Sequence, residues 1–438
     1  MKNPTFSRRG FLGASTLAVA ATACGVTGGQ SEQSATTTDG DLPKPIASLT
    51  SMADQATPIS TDERRARLDR ARELMQRNKI DAVVLPGGTS LRYFTGLQWG
   101  ISERLLALVL PAKGKPFMVT PHFEEARAME QLKNGPVDTG ADILTWQEHE
   151  SPYALIAKGL KDRGIASGTV GAEETLRFMF ADGIAHAAPA LKVVSATPIT
   201  AGCRRVKDHH EIALMRLASA ATLRAYRAVY ESLAEGMTQA DVRSLISTAH
   251  RKLGFDGGAS VQVGEYSALP HGSRTPQTIK EGTIIMVDGG CNADGYQSDI
   301  TRTFVLGKPA DKMKQVFDIV HRAQSAALAA AKPGAECQSV DAAARKVIVD
   351  AGYGPDYTYF SHRLGHGIGM DGHEWPYLVR GNTLAMERGM TFSDEPGIYI
   401  PGEFGVRLED DMHITTSGAE LLTPQSPSLE EPFGGMSS

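Results

Sequence analysis

Cysteine is scarce in this chain, with four residues in 438. One of them, Cys24, falls in a leader-like stretch, which leaves Cys203, Cys291 and Cys337 at wide spacings. An odd number so widely spaced speaks against a disulfide framework, and all three are expected as small buried hydrophobes. A strong charge of one sign is missing too. The formal net charge is only −5, which gives no sign of nucleic acid as a partner. Long apolar runs are also absent. The alanine-rich stretch from Phe11 to Ala23 is too short and too weakly apolar to span a membrane stably. No internal repeat is visible. What is present is ordinary globular composition, 41% hydrophobic and 22% charged. At roughly 100–200 residues per domain the length suits two domains.

The amino terminus is expected to be an address label. Ser7-Arg8-Arg9-Gly10-Phe11-Leu12-Gly13 reads as a twin-arginine motif within a signal spanning residues 1–24. Ala21-Thr22-Ala23-Cys24-Gly25 can end it in two ways: ordinary cleavage after small residues, or lipidation of Cys24. The expected location is therefore the periplasm, free or as a membrane-anchored lipoprotein. The twin-arginine route carries folded proteins. Residues 25–58 are expected to be a flexible linker, most polar from Val26 to Asp41.

Residues 59–203 read as an α/β unit. A helix opens at Thr61-Asp62-Glu63-Arg64 with an acidic first turn, and Leu68, Ala71, Leu74 and Met75 repeat on one face. Strands follow at Ala82 to Leu85, Leu105 to Val109 and Phe117 to Val119, and their alternation with helices predicts a mostly parallel sheet. No acid, base or ligand cluster is found in this unit. Tyr93, Trp99 and Arg104 are expected as core or surface residues. Residues 204–424 open with helices near Asp208 to Leu233 and Thr238 to Leu253, the second capped by Thr238 with Asp241 at its third position. Strands, two further helices and more strands follow, and the tail at residues 425–438 is expected to be loose.

The chemistry is concentrated in this second unit. Thr283 to Asp288 is a buried strand ending in a carboxylate, Asn292-Ala293-Asp294-Gly295 is a turn, and the return strand puts Asp299, Thr301 and Thr303 on one face. Two aspartates held side by side repel unless a cation sits between them. Next comes Gly365-His366-Gly367-Ile368-Gly369, where glycines let a metal approach His366 closely, followed by His373-Glu374. Glu395 stands in Asp394-Glu395-Pro396-Gly397, and the proline forces extended backbone there. In Arg407-Leu408-Glu409-Asp410-Asp411, Arg407 and Glu409 point the same way on a strand. Asp410 and Asp411 are expected at a solvated loop edge. Asp288, Asp299, His366, Glu395 and Glu409 thus form an oxygen-rich set with one nitrogen, suited to two divalent cations.

Together these segments, within about Lys207 to Leu422, resemble the pita-bread metallopeptidases: aminopeptidase P, prolidase and methionine aminopeptidase. The preceding unit resembles the amino-terminal domain of aminopeptidase P, prolidase and creatinase, which methionine aminopeptidases usually lack. The fold implied is a creatinase-like α/β domain followed by an α+β catalytic domain, a curved antiparallel sheet with flanking helices. The resemblance implies that Asp288 chelates one metal, that Asp299 and Glu409 bridge both, and that His366 and Glu395 complete the other. It implies attack on the peptide carbonyl by a hydroxide bridging the cations, with Glu395 shuttling the proton. His373 and His271 match the family's substrate-side histidines, and Thr301 and Arg407 match residues that support the ligands. His362 is read as structural. The metal implied is manganese, with cobalt or zinc as alternatives. A homodimer is implied by the family alone.

Where many relatives have two prolines after the His-Glu pair, this chain has Trp375-Pro376. Trp375 either lines the pocket or packs in the core. The activity expected is hydrolysis of the bond before proline, by an aminopeptidase or a dipeptidase. A dipeptidase needs a cation for the substrate's carboxylate, and Arg274, Arg363 and Arg380 are candidates. The competing readings are amidine hydrolysis or sulfonium-acid lyase chemistry on the same scaffold, and a metal-free binding module. The intact ligand set speaks against both.

Overall fold

The computed structural model describes residues 42–133, 135–137 and 141–434. The twin-arginine motif, Cys24 and the stretch from Val26 to Asp41 lie outside the described residues. In chain order the amino-terminal elements are α1 (Lys44–Ala47), α2 (Thr61–Asn78), β1 (Ala82–Pro86), α3 (Thr89–Thr95), β2 (Ala107–Pro111), β3 (Phe117–Pro121), α4 (Glu125–Leu132), β4 (Asp142–Trp146), α5 (Pro152–Lys161), β5 (Gly168–Ala172), α6 (Phe178–Ala187), β6 (Leu191–Ser195) and α7 (Thr200–Arg204). There follow α8 (His209–Tyr230), α9 (Gln239–Lys252), β7 (Asp256–Val263), β8 (Ile284–Ala293), β9 (Tyr296–Gln297), β10 (Ile300–Val305), α10 (Asp311–Ala330) and α11 (Cys337–Asp350). The last strands are β11 (Gly365–Gly367), β12 (Glu374–Leu378), β13 (Thr391–Asp394), β14 (Gly397–Ile400), β15 (Phe404–Arg407), β16 (Asp410–Ile414) and β17 (Ala419–Leu421).

Ser60 caps α2. Its hydroxyl accepts from the Glu63 N–H at 3.2 Å, and its own N–H donates to the Glu63 carboxylate at 2.7 Å. The first sheet runs β4-β3-β2-β1-β5-β6. Both its faces are covered, and its side chains divide by alternation: Val83, Leu85 and Leu108 into one core, Val84, Val109 and Val119 into another. The sheet is mixed rather than mostly parallel. β3/β4, β1/β5 and β5/β6 are parallel, whereas β1/β2 and β2/β3 are antiparallel. Only Ala112 to Pro116 joins β2 to β3, with Gly114 at φ 96° in the turn. So short a link closes a hairpin, since a parallel crossover needs about a dozen residues.

In the second half all strand pairs are antiparallel. β10-β8-β7 form one sheet with β9 on the end of β8, β12-β11-β13-β16-β17 form another, and β14-β15 form a hairpin. α8 packs on β8, α9 on β7, and α10 and α11 on the second sheet and the hairpin. Thr238 and Asp241 cap α9 reciprocally, as expected. The two halves share a core in which Leu68 and Leu91 meet Met215 and Ile368. A buried polar knot crosses the same junction: Arg67 donates to the Tyr296 hydroxyl at 2.9 Å, Tyr296 donates to Glu211 at 2.7 Å, and Arg67 pairs with Glu211 at 3.3 Å.

Two expected loose segments are packed. The linker expected to reach residue 58 is ordered over its described part. Ile46 and Met52 are buried, α1 rests on α8 and α9, and the Met52 N–H donates to Leu253 at 2.9 Å. The tail expected from residue 425 is also seated as far as it is described. Ser426, Leu429 and Phe433 are buried, and Phe433 lies 5.7 Å from the Tyr230 ring. In each case a few apolar side chains find a groove left by the helices, which outweighs the polar composition around them. Cys203, Cys291 and Cys337 are buried free thiols.

Candidate metal centre

Asp288 and Thr301 lie opposite each other in the β8/β10 ladder, and Asp299 stands one residue before β10 begins. His366 is the middle residue of β11. Glu395 sits where β13 gives way to β14, and Glu409 where β15 gives way to β16. Five segments distant in sequence therefore deliver the five expected ligands into one cleft of about 610 Å³. His271, His362, Arg363, His373 and Arg407 also line it.

Ligand atoms of Asp288, Asp299 and Glu409 lie within 4.8 Å of one another, as do those of His366, Glu395 and Glu409, and those of Asp299, His366 and His373. The His366 Nδ1 donates to the Gly367 carbonyl at 3.1 Å. A carbonyl only accepts, so the proton is on Nδ1 and the Nε2 lone pair faces Glu395 at 3.3 Å and Asp299 at 3.8 Å. Ser393 braces this side: its hydroxyl accepts from the His366 N–H at 3.0 Å and donates to Glu395 at 3.1 Å.

Arg407 is buried and its side chain makes four hydrogen bonds. It donates to Asp288 at 2.6 Å, the Thr301 hydroxyl at 3.1 Å, the Tyr399 hydroxyl at 2.9 Å and the Pro270 carbonyl at 3.1 Å. The last bond tethers the loop that carries His271. The Thr301 hydroxyl lies 2.6 Å from Glu409 and 3.1 Å from Asp288. It has one hydrogen, and the shorter contact is to Glu409, while Asp288 is held by Arg407.

Four carboxylates thus crowd one cleft. Burial, reinforced by neighbouring carboxylates, pushes Asp299 and Glu409 well above the usual carboxylate range. Burial and like charge therefore favour a positive partner beside Asp299 and Glu409. Two divalent cations fit the donor set: hard oxygens, one imidazole with its lone pair turned inward, and adjacent triads that share Glu409.

Two family models match this chain: metallopeptidase family M24 over residues 213–416, and the creatinase/prolidase N-terminal domain over residues 67–206. The probable dipeptidase PepE of Mycobacterium tuberculosis is 39% identical over 346 residues, covering 78% of this chain and 89% of the relative. This chain belongs to the M24 metallopeptidases. The Xaa-Pro dipeptidase of Lactobacillus delbrueckii subsp. lactis is 33% identical over 384 residues, covering 83% of this chain and 98% of the relative. The crystal structure of dipeptidase PepE from Mycobacterium ulcerans superposes with a TM-score of 0.79 at 35% identity, covering 85% of this chain and 99% of that one. The architecture is thus a creatinase-type amino-terminal domain and a pita-bread catalytic domain. M24 enzymes use a dinuclear divalent metal centre, and the carboxylate and histidine groups here could hold one.

Other features of the M24 site differ from the sequence reading. Asp410 and Asp411 are fully buried on β16, not at a solvated edge. β16 is interior to its sheet, and both carboxyls have partners: Arg302 donates to Asp410 at 2.7 Å, and the Asp299 N–H donates to Asp411 at 3.1 Å. His362, read as structural, does bond its Nε2 to the Tyr399 hydroxyl at 2.7 Å, yet it also lines the cleft. Trp375 lines a second cavity of about 190 Å³ with Glu173, Glu174, His373 and Tyr377. His373 lines both spaces, and its ring stacks on His366 at 3.7 Å. Tyr399 was missed as a site residue. Its one signal is its place opposite Gly405 in the β14/β15 hairpin, which leaves room for the ring.

Replacing Thr301 with the isosteric valine removes the hydroxyl between Glu409 and Arg407. Calorimetric titration of a divalent cation into Thr301→Val is expected to show affinity reduced about 10–100-fold, the usual effect of losing a residue that orients ligands. An affinity within about twofold of the parent would contradict the role given to Thr301.

Proposed function

We propose that this chain is a metal-dependent dipeptidase that hydrolyses the bond preceding proline. The observation that carries this reading is the pairing of the five-ligand cluster with three histidines and a second guanidinium in one cleft sized for a small peptide. Dipeptidases and Xaa-Pro dipeptidases among its relatives support it.

In this proposal Asp288 would serve one cation, His366 and Glu395 the other, and Asp299 and Glu409 both. The shared membership of Glu409 and Asp299 in neighbouring triads supports the assignment. Manganese is the proposed metal, on the oxygen-rich donors. Two such cations supply an acidified water and polarise the scissile carbonyl. The chain's own residues do the rest. Glu395 takes a proton from the attacking water and returns it to the leaving nitrogen, the tertiary amide nitrogen of proline, which has no hydrogen of its own. His373 donates a hydrogen bond to the carbonyl oxygen as charge develops there. His271 faces the substrate from the loop tethered by Arg407. Thr301 and Arg407 keep the carboxylates in place.

A panel with added manganese tests this: Gly-Pro, a tripeptide with proline second, and the same tripeptide with alanine second. Rapid cleavage of Gly-Pro and little of either tripeptide is expected. Equal cleavage of the alanine peptide would sink proline specificity, and no cleavage of any, with metal bound, would move the activity to another reaction on this scaffold.

We also propose export by the twin-arginine route to the periplasm, with lipid on Cys24 as one possible anchor and a homodimer as the working state. The support is the motif at Ser7 to Gly13 and the small residues before Cys24. Cell fractionation should find the parent outside the cytoplasm and the double variant Arg8→Lys, Arg9→Lys inside it; equal distribution of the two would rule the route out.

A further inference from the structure

His373 is placed by the turn that carries it. Its ring stacks on His366 at 3.7 Å, and its imidazole makes no hydrogen bond to any described residue. The turn, Asp371-Gly372-His373-Glu374, leads into β12. Little packs behind it. A Cβ built on Gly372 would meet nothing within 4 Å, His373 is exposed, and the cavity of about 190 Å³ runs along Asp371, His373 and Glu374. Charge, rather than packing, holds this turn.

Much of that charge comes from the amino-terminal domain. Arg204, the last residue of α7, is buried, and its Nη2 donates to both carboxylates that bracket His373, those of Asp371 and Glu374. The Thr89 hydroxyl, at the start of α3, donates to Asp371 at 2.5 Å. Lys207 donates to the second Glu374 oxygen at 3.1 Å, and the Asp371 N–H closes the turn on Glu374 at 3.1 Å. The other arm of Arg204 donates to the Ser90 hydroxyl at 3.3 Å, which donates to Glu173 at 2.7 Å. Burial alone would raise the Glu374 carboxyl, yet Arg204 and Lys207 hold it down at about 2. Neither Arg204 nor Thr89 lines the metal cleft. Their route to the chemistry runs through the turn.

A donor aimed at developing charge is effective only where its position is fixed, and a misplacement of about 1 Å costs on the order of 100-fold in rate. We propose that Arg204 is a positioning residue: by clamping Asp371 and Glu374 from the amino-terminal domain it sets His373 against the scissile carbonyl, which makes that domain part of the catalytic apparatus. The inference rests on the role given to His373 above.

The test follows Gly-Pro hydrolysis by the metal-loaded full chain. In Arg204→Met the kcat should fall about 100-fold with KM within about twofold of the parent, the pattern of an interaction made only in the transition state. Manganese affinity, read by calorimetry, should stay as it is. Arg204→Lys keeps the charge but loses the fork, so part of the kcat should return. The double variant Arg204→Met, His373→Ala should be no slower than His373→Ala alone, because both changes remove one contribution. Losses that multiply in the double variant, a raised KM at unchanged kcat, or weakened metal binding would each overturn the proposal. Arg204→Met leaves buried carboxylates short of a partner and risks misfolding. Thr89→Val removes only the hydroxyl at the more open carboxylate, and it should show the same pattern at about a tenfold loss. A further readout needs no turnover. In chelator-stripped protein the Asp371 amide, bonded to Glu374, should exchange its hydrogen faster in either variant than in the parent, and unchanged protection would count against the clamp. That measurement stands even for a parent that leaves Gly-Pro intact, which is how failure of the dipeptidase reading would show.

Discussion

Repulsion among carboxylates is the constraint on which the catalytic half is built. Asp288, Asp299, Glu395 and Glu409 share a cleft in which, among the described residues, Arg407 is the guanidinium paired with a carboxylate. Burial and neighbouring carboxylates disfavour the ionised state of Asp299 and Glu409. Their approach is imposed by backbone pairing: β8 against β10 for the aspartates, and the ends of β13 and β15 for the glutamates. The chain spends its folding energy on holding that arrangement open for cations. Arg407, Thr301 and Ser393 aim the acceptors, and the buried Asp411 fixes the main chain at Asp299.

The same frame separates catalysis from selection. The candidate ligands sit on strands or at strand ends, where backbone pairing leaves little freedom. The groups free to meet a substrate stand around them: His271 on a tethered loop, His373 stacked beside His366, Arg363 over Tyr377, and Trp375 in the adjoining cavity. A change of substrate within this scaffold needs only these rim residues to change, while the charge problem at the centre stays as it is.

The convergence of the five candidate ligands was legible in the sequence because each lies in a local context that announces itself, such as a buried strand ending in Asp288 or an extended Glu395 before proline. Thr301 and Arg407 were legible by alternation, since period 2 puts them on the face of Asp299 and Glu409. Asp410 and Asp411 were not. Their burial follows from where β16 sits in its sheet, which no local pattern states, and a run of three acids reads locally as solvated. Arg363 could be named as a candidate cation but not placed, because the ring it lies over, Tyr377, comes from a separate strand. The packed segments at Ile46 and Phe433 were hidden for the same reason: a lone apolar residue in polar surroundings is buried only if some distant groove accepts it.

The central claim is that this cluster is completed by two divalent cations. Calorimetric titration of manganese into chelator-stripped protein, repeated in buffers of differing ionisation enthalpy, tests it most directly. Two ions per chain are expected, with protons released on binding, because burial among neighbouring carboxylates raises Asp299 and Glu409 above the usual carboxylate range. Release should grow, and affinity fall, as the pH drops toward mildly acidic values. Binding of one ion or none, or of two with no proton released at any pH, would contradict the account.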